Sequence, residues 1–214
     1  MSDPHPDDGQ PHDHDDGQHH DHDASHDHSH HHHDAESVAV AVVTVTSSRS
    51  TDDDPSGDRI ADSFVAEGHE VVVRELIPDE FDSVQGTVDR LARRKDTDVV
   101  VTTGGTGVTP DDVTPEAIDG LLAKKLPGFG ELFRRLSYEE IGTRAIGSRA
   151  TAGVVERTPV FCLPGSTSAV RLAVEDVILP EIGHLVGLAS RGADESGADE
   201  SGDEHDAESG PSEE

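Results

Sequence analysis

Between roughly Ala35 and Ser190, short runs rich in β-branched residues alternate with segments whose apolar residues recur at helical spacing. This order constrains the fold more than any other feature of the chain. Ser37 to Thr46 is Val-rich, and Ile60, Phe64 and Val65 follow at helical spacing until Gly68, a residue suited to the end of a helix. Glu70 to Ile77 is a second Val-rich run; Val84, Val88 and Leu91 then form one helical face, with Arg90, Arg93 and Arg94 where a helix dipole favours cations. Asp98 to Thr103 reads as a third buried strand that breaks into Gly104-Gly105-Thr106-Gly107. Thr114-Pro115-Glu116 supplies an N-cap followed by proline at the first helical position. Phe129, Leu132, Phe133 and Leu136 mark a further helix, and Ala152 to Val155 and Val160 to Leu163 read as paired strands around Glu156-Arg157-Thr158, before a final helix near Ser166. Strands alternating with helices at these intervals predict a three-layer α/β/α domain with a mainly parallel central sheet, and ligands beyond the strands' C-terminal ends.

The flanks differ in kind. Residues 1–34 hold ten Asp and 12 of the 15 histidines, with no Lys or Arg, and residues 191–214 hold ten acidic residues and one Arg. Neither stretch has enough apolar surface to offset chain entropy, so both are expected to be disordered tails around a folded segment, residues 35–190. Imidazole and carboxylate at this density could hold zinc, copper or nickel loosely. The whole chain carries 46 acidic against 16 basic residues, a net charge of -30, and its only lysines are Lys95, Lys124 and Lys125. That balance argues against nucleic acid as a partner, because Lys and Arg are needed to displace its counterions. The longest purely apolar run, Val38 to Val43, is six residues, against the roughly 20 of a membrane-spanning helix. The acidic start is unlike a secretory signal, so a soluble, cytoplasmic protein is expected. Cys162, the single cysteine, lies in an apolar run and reads as a buried small residue. Acid excess together with 13 Arg to three Lys suggests a surface suited to concentrated salt, where the Debye length falls to about 3 Å and self-repulsion is screened.

The chemistry gathers at strand ends. Gly104 to Gly107 leave a hydrophobic strand, where glycine lets main-chain N–H groups approach an oxyanion. A P-loop would need Lys after its last glycine and a dinucleotide fingerprint would need glycine where Pro110 stands, so neither standard motif applies. A tight strand-to-helix turn would also explain these glycines. Asp111 and Asp112 follow, and a carboxylate beside bound phosphate would repel it unless a divalent cation such as magnesium bridged them. Asp79 follows the second strand and could reach the same rim, although a turn or helix start would account for it too. Pro164-Gly165-Ser166 offers further N–H groups and a hydroxyl, with helix capping as the plain explanation of Ser166.

Thr102-Thr103-Gly104-Gly105-Thr106-Gly107 followed by Asp112-Val113-Thr114-Pro115 resembles the signature of the MoaB/MogA family of molybdenum-cofactor biosynthesis proteins, the molybdopterin adenylyltransferases. Leu76-Ile77-Pro78-Asp79-Glu80, Pro127-Gly128-Phe129-Gly130-Glu131, Ser137-Tyr138-Glu139-Glu140, Ser148-Arg149-Ala150 and Leu163-Pro164-Gly165-Ser166 resemble further family segments in the right order, over roughly Ser37 to Leu188. The resemblance implies transfer of AMP from MgATP to molybdopterin with release of pyrophosphate, assembly as a homo-trimer or hexamer, and hand-over to a molybdenum insertase. It implies Asp79 and Asp112 as the catalytic, magnesium-linked aspartates. Thr103, Gly104, Gly105, Thr106, Gly107, Glu131, Ser148, Pro164, Gly165 and Ser166 would bind substrate and nucleotide. Val108-Thr109-Pro110-Asp111 lies closer to the MoaB side of the family, which is less uniformly active. Two alternatives therefore stand beside the enzyme: a non-catalytic molybdopterin-binding module, and a metal-handling protein acting through its His-rich tail. Arg49, Arg144, Arg149 and Arg171 are candidates for a cationic lining, with surface ion pairing as the competing fate of each. Molybdenum and tungsten are not distinguished.

Overall fold

The computed structural model describes residues 34–47 and 53–191 of the chain. The expectations for the His-rich tail, the acidic tail and Arg49 lie outside the described residues.

Six strands form one sheet in the order β2-β1-β3-β6-β5-β4. They are β1 (Ala39–Val45), β2 (Glu70–Ile77), β3 (Val99–Thr103), β4 (Lys124–Lys125), β5 (Thr151–Val155) and β6 (Thr158–Leu163). β1 runs parallel to both β2 and β3, and β3 runs parallel to β6. β5 pairs antiparallel with both β6 and β4. The expected mainly parallel sheet is therefore present, with an antiparallel margin.

Side-chain alternation on the strands divides the interior into two layers. Val40 and Val42 join Ile60, Phe64, Phe161, Val170 and Ile178 on one face, which is covered by α1 (Pro55–Ala66), α4 (Pro127–Ile141), α5 (Thr167–Ala173) and α6 (Ile182–Ser190). Ala41, Val43 and Val45 join Val84, Val88, Leu91 and Ile118 on the other, under α2 (Phe81–Ala92) and α3 (Thr114–Asp119). Burial on both faces is why β1 and β3 read as unbroken apolar runs with little alternation. β1 connects through α1 to β2 on one side, whereas β3 lies on its other side, so the chain reverses its winding direction between β1 and β3. Loops leaving the two strands part there, which opens a crevice.

Local chemistry explains the element ends. Buried Asp54 accepts the Gly57 N–H at 3.0 Å and the Thr44 hydroxyl at 2.6 Å, tying the start of α1 to the end of β1. Ser166 caps α5 by accepting the Ala169 N–H at 3.4 Å. Gly68 takes φ +84°, as its place after α1 requires.

Three details depart from expectation. Thr114 is the first residue of α3 and caps nothing; its hydroxyl is buried without a hydrogen-bond partner, because the side chain turns inward toward Gly105. The β5–β6 turn is only Glu156 and Arg157, with Glu156 at φ 53°. β4 is a two-residue edge strand whose exposed lysines blunt the sheet edge, and it is too short to leave a periodic signal. Cys162 is buried as expected, and burial pushes its thiol up to about 12.

Phe161 lies in β6, 1% exposed, with its ring edge-on to Phe129 at 5.2 Å. Phe161→Ala is expected to cost about 3–5 kcal/mol, read from urea unfolding; a loss below about 1 kcal/mol, within what surface changes produce, would contradict this placement of the core.

Candidate functional site

The site is organised by the ends of β3 and β6. Thr103 and Leu163 are register partners, the Gly104 N–H donates to the Leu163 carbonyl at 3.0 Å, and the Thr103 hydroxyl donates to the Pro164 carbonyl at 2.9 Å. The two loops therefore leave the sheet bonded to one another. Gly104 has φ +100°, and a Cβ there would stand 2.1 Å from the Val45 carbonyl oxygen at the end of β1. Gly105 has φ +62°, and a Cβ there would stand 2.2 Å from Thr114 Oγ1 and 2.7 Å from Asp79 Oδ1. Neither position tolerates a side chain, for conformational and for steric reasons.

These loops border a cavity of about 490 Å³, a volume in the range of small-molecule sites. Gly104, Gly105, Thr106, Gly107, Asp112, Ser148, Pro164, Gly165 and Ser166 all line it. Its opposite wall is Phe133, Ser137 and Ile141 of α4, continued by Arg144, Ala145 and Gly147 of the 3-10 helix Gly142–Gly147. Thr103 is fully buried and serves as the tie between loops. Glu131 is exposed on α4 and does not border the cavity within this chain. Asp79 sits behind Gly105, on the β2 side of the glycine loop, and does not line the cavity, whereas Asp112 does. Both carboxylates nevertheless touch one short loop: a Cβ on Gly105 would meet Asp79, and one on Gly107 would meet Asp112 at 2.6 Å.

Ser137, named in a family segment but not among the expected site residues, also lines the cavity. It lies four residues after Phe133 and four before Ile141, one stripe of α4. A serine on an otherwise apolar stripe was the available signal. Of the arginines, Arg144 reaches the cavity, while Arg171 pairs with Glu140 at 2.7 Å. Arg149 binds loop carbonyls instead of lining the cavity.

The two aspartates occupy opposed environments. Asp112 Oδ2 accepts from the Thr109 hydroxyl at 2.6 Å and the Thr109 N–H at 2.9 Å. The Thr109 hydroxyl, with help from the Thr109 and Gly107 N–H groups and the Arg149 charge, holds the Asp112 carboxyl below its ordinary value despite partial burial. Burial raises that of Asp79, with Asp112 and Asp111 adding repulsion that a Val113 N–H bond only partly offsets. Asp79 Oδ1 is buried and has no hydrogen-bond partner. A hard cation is the natural complement to such an oxygen beside a second carboxylate. Among the described residues no group of three or more His, Cys, Asp or Glu could enclose a metal alone.

The sign of the Asp79 shift yields a stability prediction. A carboxyl that binds its proton more tightly folded than unfolded costs stability when ionised, and the cost is relieved as pH falls through the folded value toward the ordinary value of 3.8. Asp79→Asn is therefore expected to raise the urea midpoint at pH 7, with the gain shrinking as pH falls toward 4. A variant less stable than the parent at pH 7 would show that ionised Asp79 is structurally favourable.

Comparison with known proteins finds a matching family and similar folds. The family described as "Probable molybdopterin binding domain" matches residues 41–184. Molybdenum cofactor biosynthesis protein B of Bacillus subtilis is 49% identical over 140 residues, spanning 64% of this chain and 82% of that protein. Its Escherichia coli K12 counterpart is 42% identical over 134 residues, 63% of this chain and 79% of that protein. A crystal structure of molybdenum cofactor biosynthesis protein B superposes with TM-score 0.71 at 44% identity, covering 72% of this chain and 97% of that one. The tungsten cofactor synthesizing protein MoaB from Pyrococcus furiosus gives 0.65 at 37% identity, covering 72% and 98%.

Proposed function

The chain belongs to the molybdopterin-binding domain family on its MoaB side, and from that premise we propose that it acts in molybdenum or tungsten cofactor biosynthesis by transferring AMP from MgATP to molybdopterin. The observation that carries this reading is the convergence of the glycine loop, the Pro164–Ser166 loop and Ser148 on one cavity, with Asp112 on its wall and Asp79 behind the same loop.

In the proposed reaction an oxygen of the molybdopterin phosphate bonds to the α-phosphorus of ATP, the bond from that phosphorus to the bridging oxygen breaks, and pyrophosphate leaves. Such transfers depend on alignment and charge neutralisation more than on a protein nucleophile. Main-chain N–H groups around Gly105 and Thr106 and at Gly165 and Ser166 would hold phosphate oxygens without adding a like charge. Ser148 and Ser137 offer hydroxyls on the opposite wall, and Arg144 a cation. Magnesium, held through Asp79 and Asp112, would neutralise the triphosphate and relieve its repulsion from the carboxylates. Asp112 is suited to staying ionised, since its hydrogen bonds favour the charged form.

Incubating the purified chain with molybdopterin, ATP and magnesium is expected to give adenylylated pterin and one pyrophosphate. Asp112→Asn should lower kcat by at least about a hundredfold, the scale of a lost charge-stabilising group, with little change in unfolding midpoint. Pterin retained without product would instead identify a non-catalytic binding module, and full turnover in the variant would remove Asp112 from the mechanism.

A homo-trimer or hexamer is proposed with this reading. Tyr138 (60% exposed), Ile141 (52%) and Ile146 (91%) leave apolar side chains on α4 and the adjoining 3-10 helix, a grouping that single chains usually cover. Light scattering is expected to give a multiple of three chains, shifting toward monomer in Ile146→Asp. A monomeric parent would overturn the assembly.

A further inference from the structure

The stretch from Thr106 to Asp112 presents a physical problem. It follows two glycines in left-handed conformations and contains Gly107, so it has much backbone freedom to lose. Val108 is 77% exposed, and Thr109, Pro110 and Asp111 are exposed as well, so burial does not hold its tip. Its internal bonds, from Thr109 to the Asp112 carboxylate and from the Asp112 N–H to the Thr109 carbonyl at 3.1 Å, close the tip on itself without fixing it to the sheet.

Arg149 supplies that anchorage. Its Nη2 donates to the Asp112 carbonyl at 2.7 Å and its Nε to the Thr106 carbonyl at 3.4 Å, while Nη1 pairs with Glu116 of α3. Among the described residues, no other side chain outside the stretch donates to it. Three nitrogens of one planar group thus engage the loop's entry, its exit and the helix that follows. Arg149 also directly follows Ser148, which lines the cavity, so the segment that builds one wall clamps the other.

We propose that Arg149 is a positioning residue that sets the separation of the loop's two limbs, and thereby fixes Gly105–Gly107 relative to Asp112. The function is geometric. An ion pair as exposed as Arg149 and Glu116 adds little to global stability, and a lysine cannot replace it, because a single ammonium lacks the rigid fork that reaches both carbonyls at once. The inference depends on the proposed AMP transfer only for its catalytic consequence; the clamp itself is a property of the folded chain.

Amide hydrogen exchange on the full chain, without substrate, tests it in Arg149→Gln and Arg149→Lys. In the Gln variant, protection at Thr106 to Asp112 is expected to fall about tenfold or more, the scale of losing charge-assisted bonds to main chain. Strand amides of β1 and β6 should keep their rates. The Lys variant should recover less than half of the loop protection. Unchanged loop exchange in Gln, full rescue by Lys, or an equal loss across the strands would each overturn the proposal. The molybdopterin assay gives a separate readout. Loss of the clamp should lower kcat in the Gln variant; if loop exchange responds as expected but the parent forms no adenylylated pterin, the clamp stands and the proposed reaction falls.

Discussion

The contact on which the site depends is the junction at Gly104, where three strand ends meet with no room for a side chain. Its N–H reaches the Leu163 carbonyl of β6, and its α-carbon faces the Val45 carbonyl of β1. A Cβ would collide with a backbone oxygen, a group that cannot move aside without shifting its strand. The sheet register and the site geometry are consequently one constraint. Because Thr103 pairs with Leu163, the two loops begin at the same level and open toward the same cavity.

Electrostatics gives that cavity its character. A chain of net charge -30 with three lysines does not assemble a cationic bed for an anion. It presents main-chain N–H groups and hydroxyls, with Arg144 at the wall, and keeps two carboxylates at the same loop. The aspartates are held differently: Asp112 is stabilised as an anion by Thr109, whereas Asp79 is pressed into a drier place with one oxygen unpartnered. Pairs whose environments push their proton affinities apart are a recurring way to give like groups unlike roles.

Much of this was legible in the sequence, for identifiable reasons. Glu70–Ile77 was read to the residue because Val71, Val72 and Val73 give a β-branched run that Gly68 and Pro78 bound on either side. Gly104 and Gly105 announced a special turn, since clustered glycine after a strand is costly without cause. Thr114 misled because a threonine before proline is the usual cap, and nothing local reveals that its hydroxyl faces Gly105. Ser137 was quoted in a family segment but not assigned to the site, because a helix stripe identifies a buried face but not what that face covers. Glu131 matches a family segment, yet its side chain is exposed and away from the cavity of its own chain.

Sequence alone determined the alternation of strands and helices, the positions of the loops that could approach an anion, and the family. Hydrophobic period and glycine placement are properties of neighbouring residues and survive without coordinates. Only the tertiary structure decided which loops share a cavity, that Asp79 lies behind the glycine loop while Asp112 lines the cavity, and that Arg149 bridges Thr106 to Asp112. These are contacts between residues far apart in the chain, set by strand order and register, and no local pattern records the strand beside which a given strand will lie.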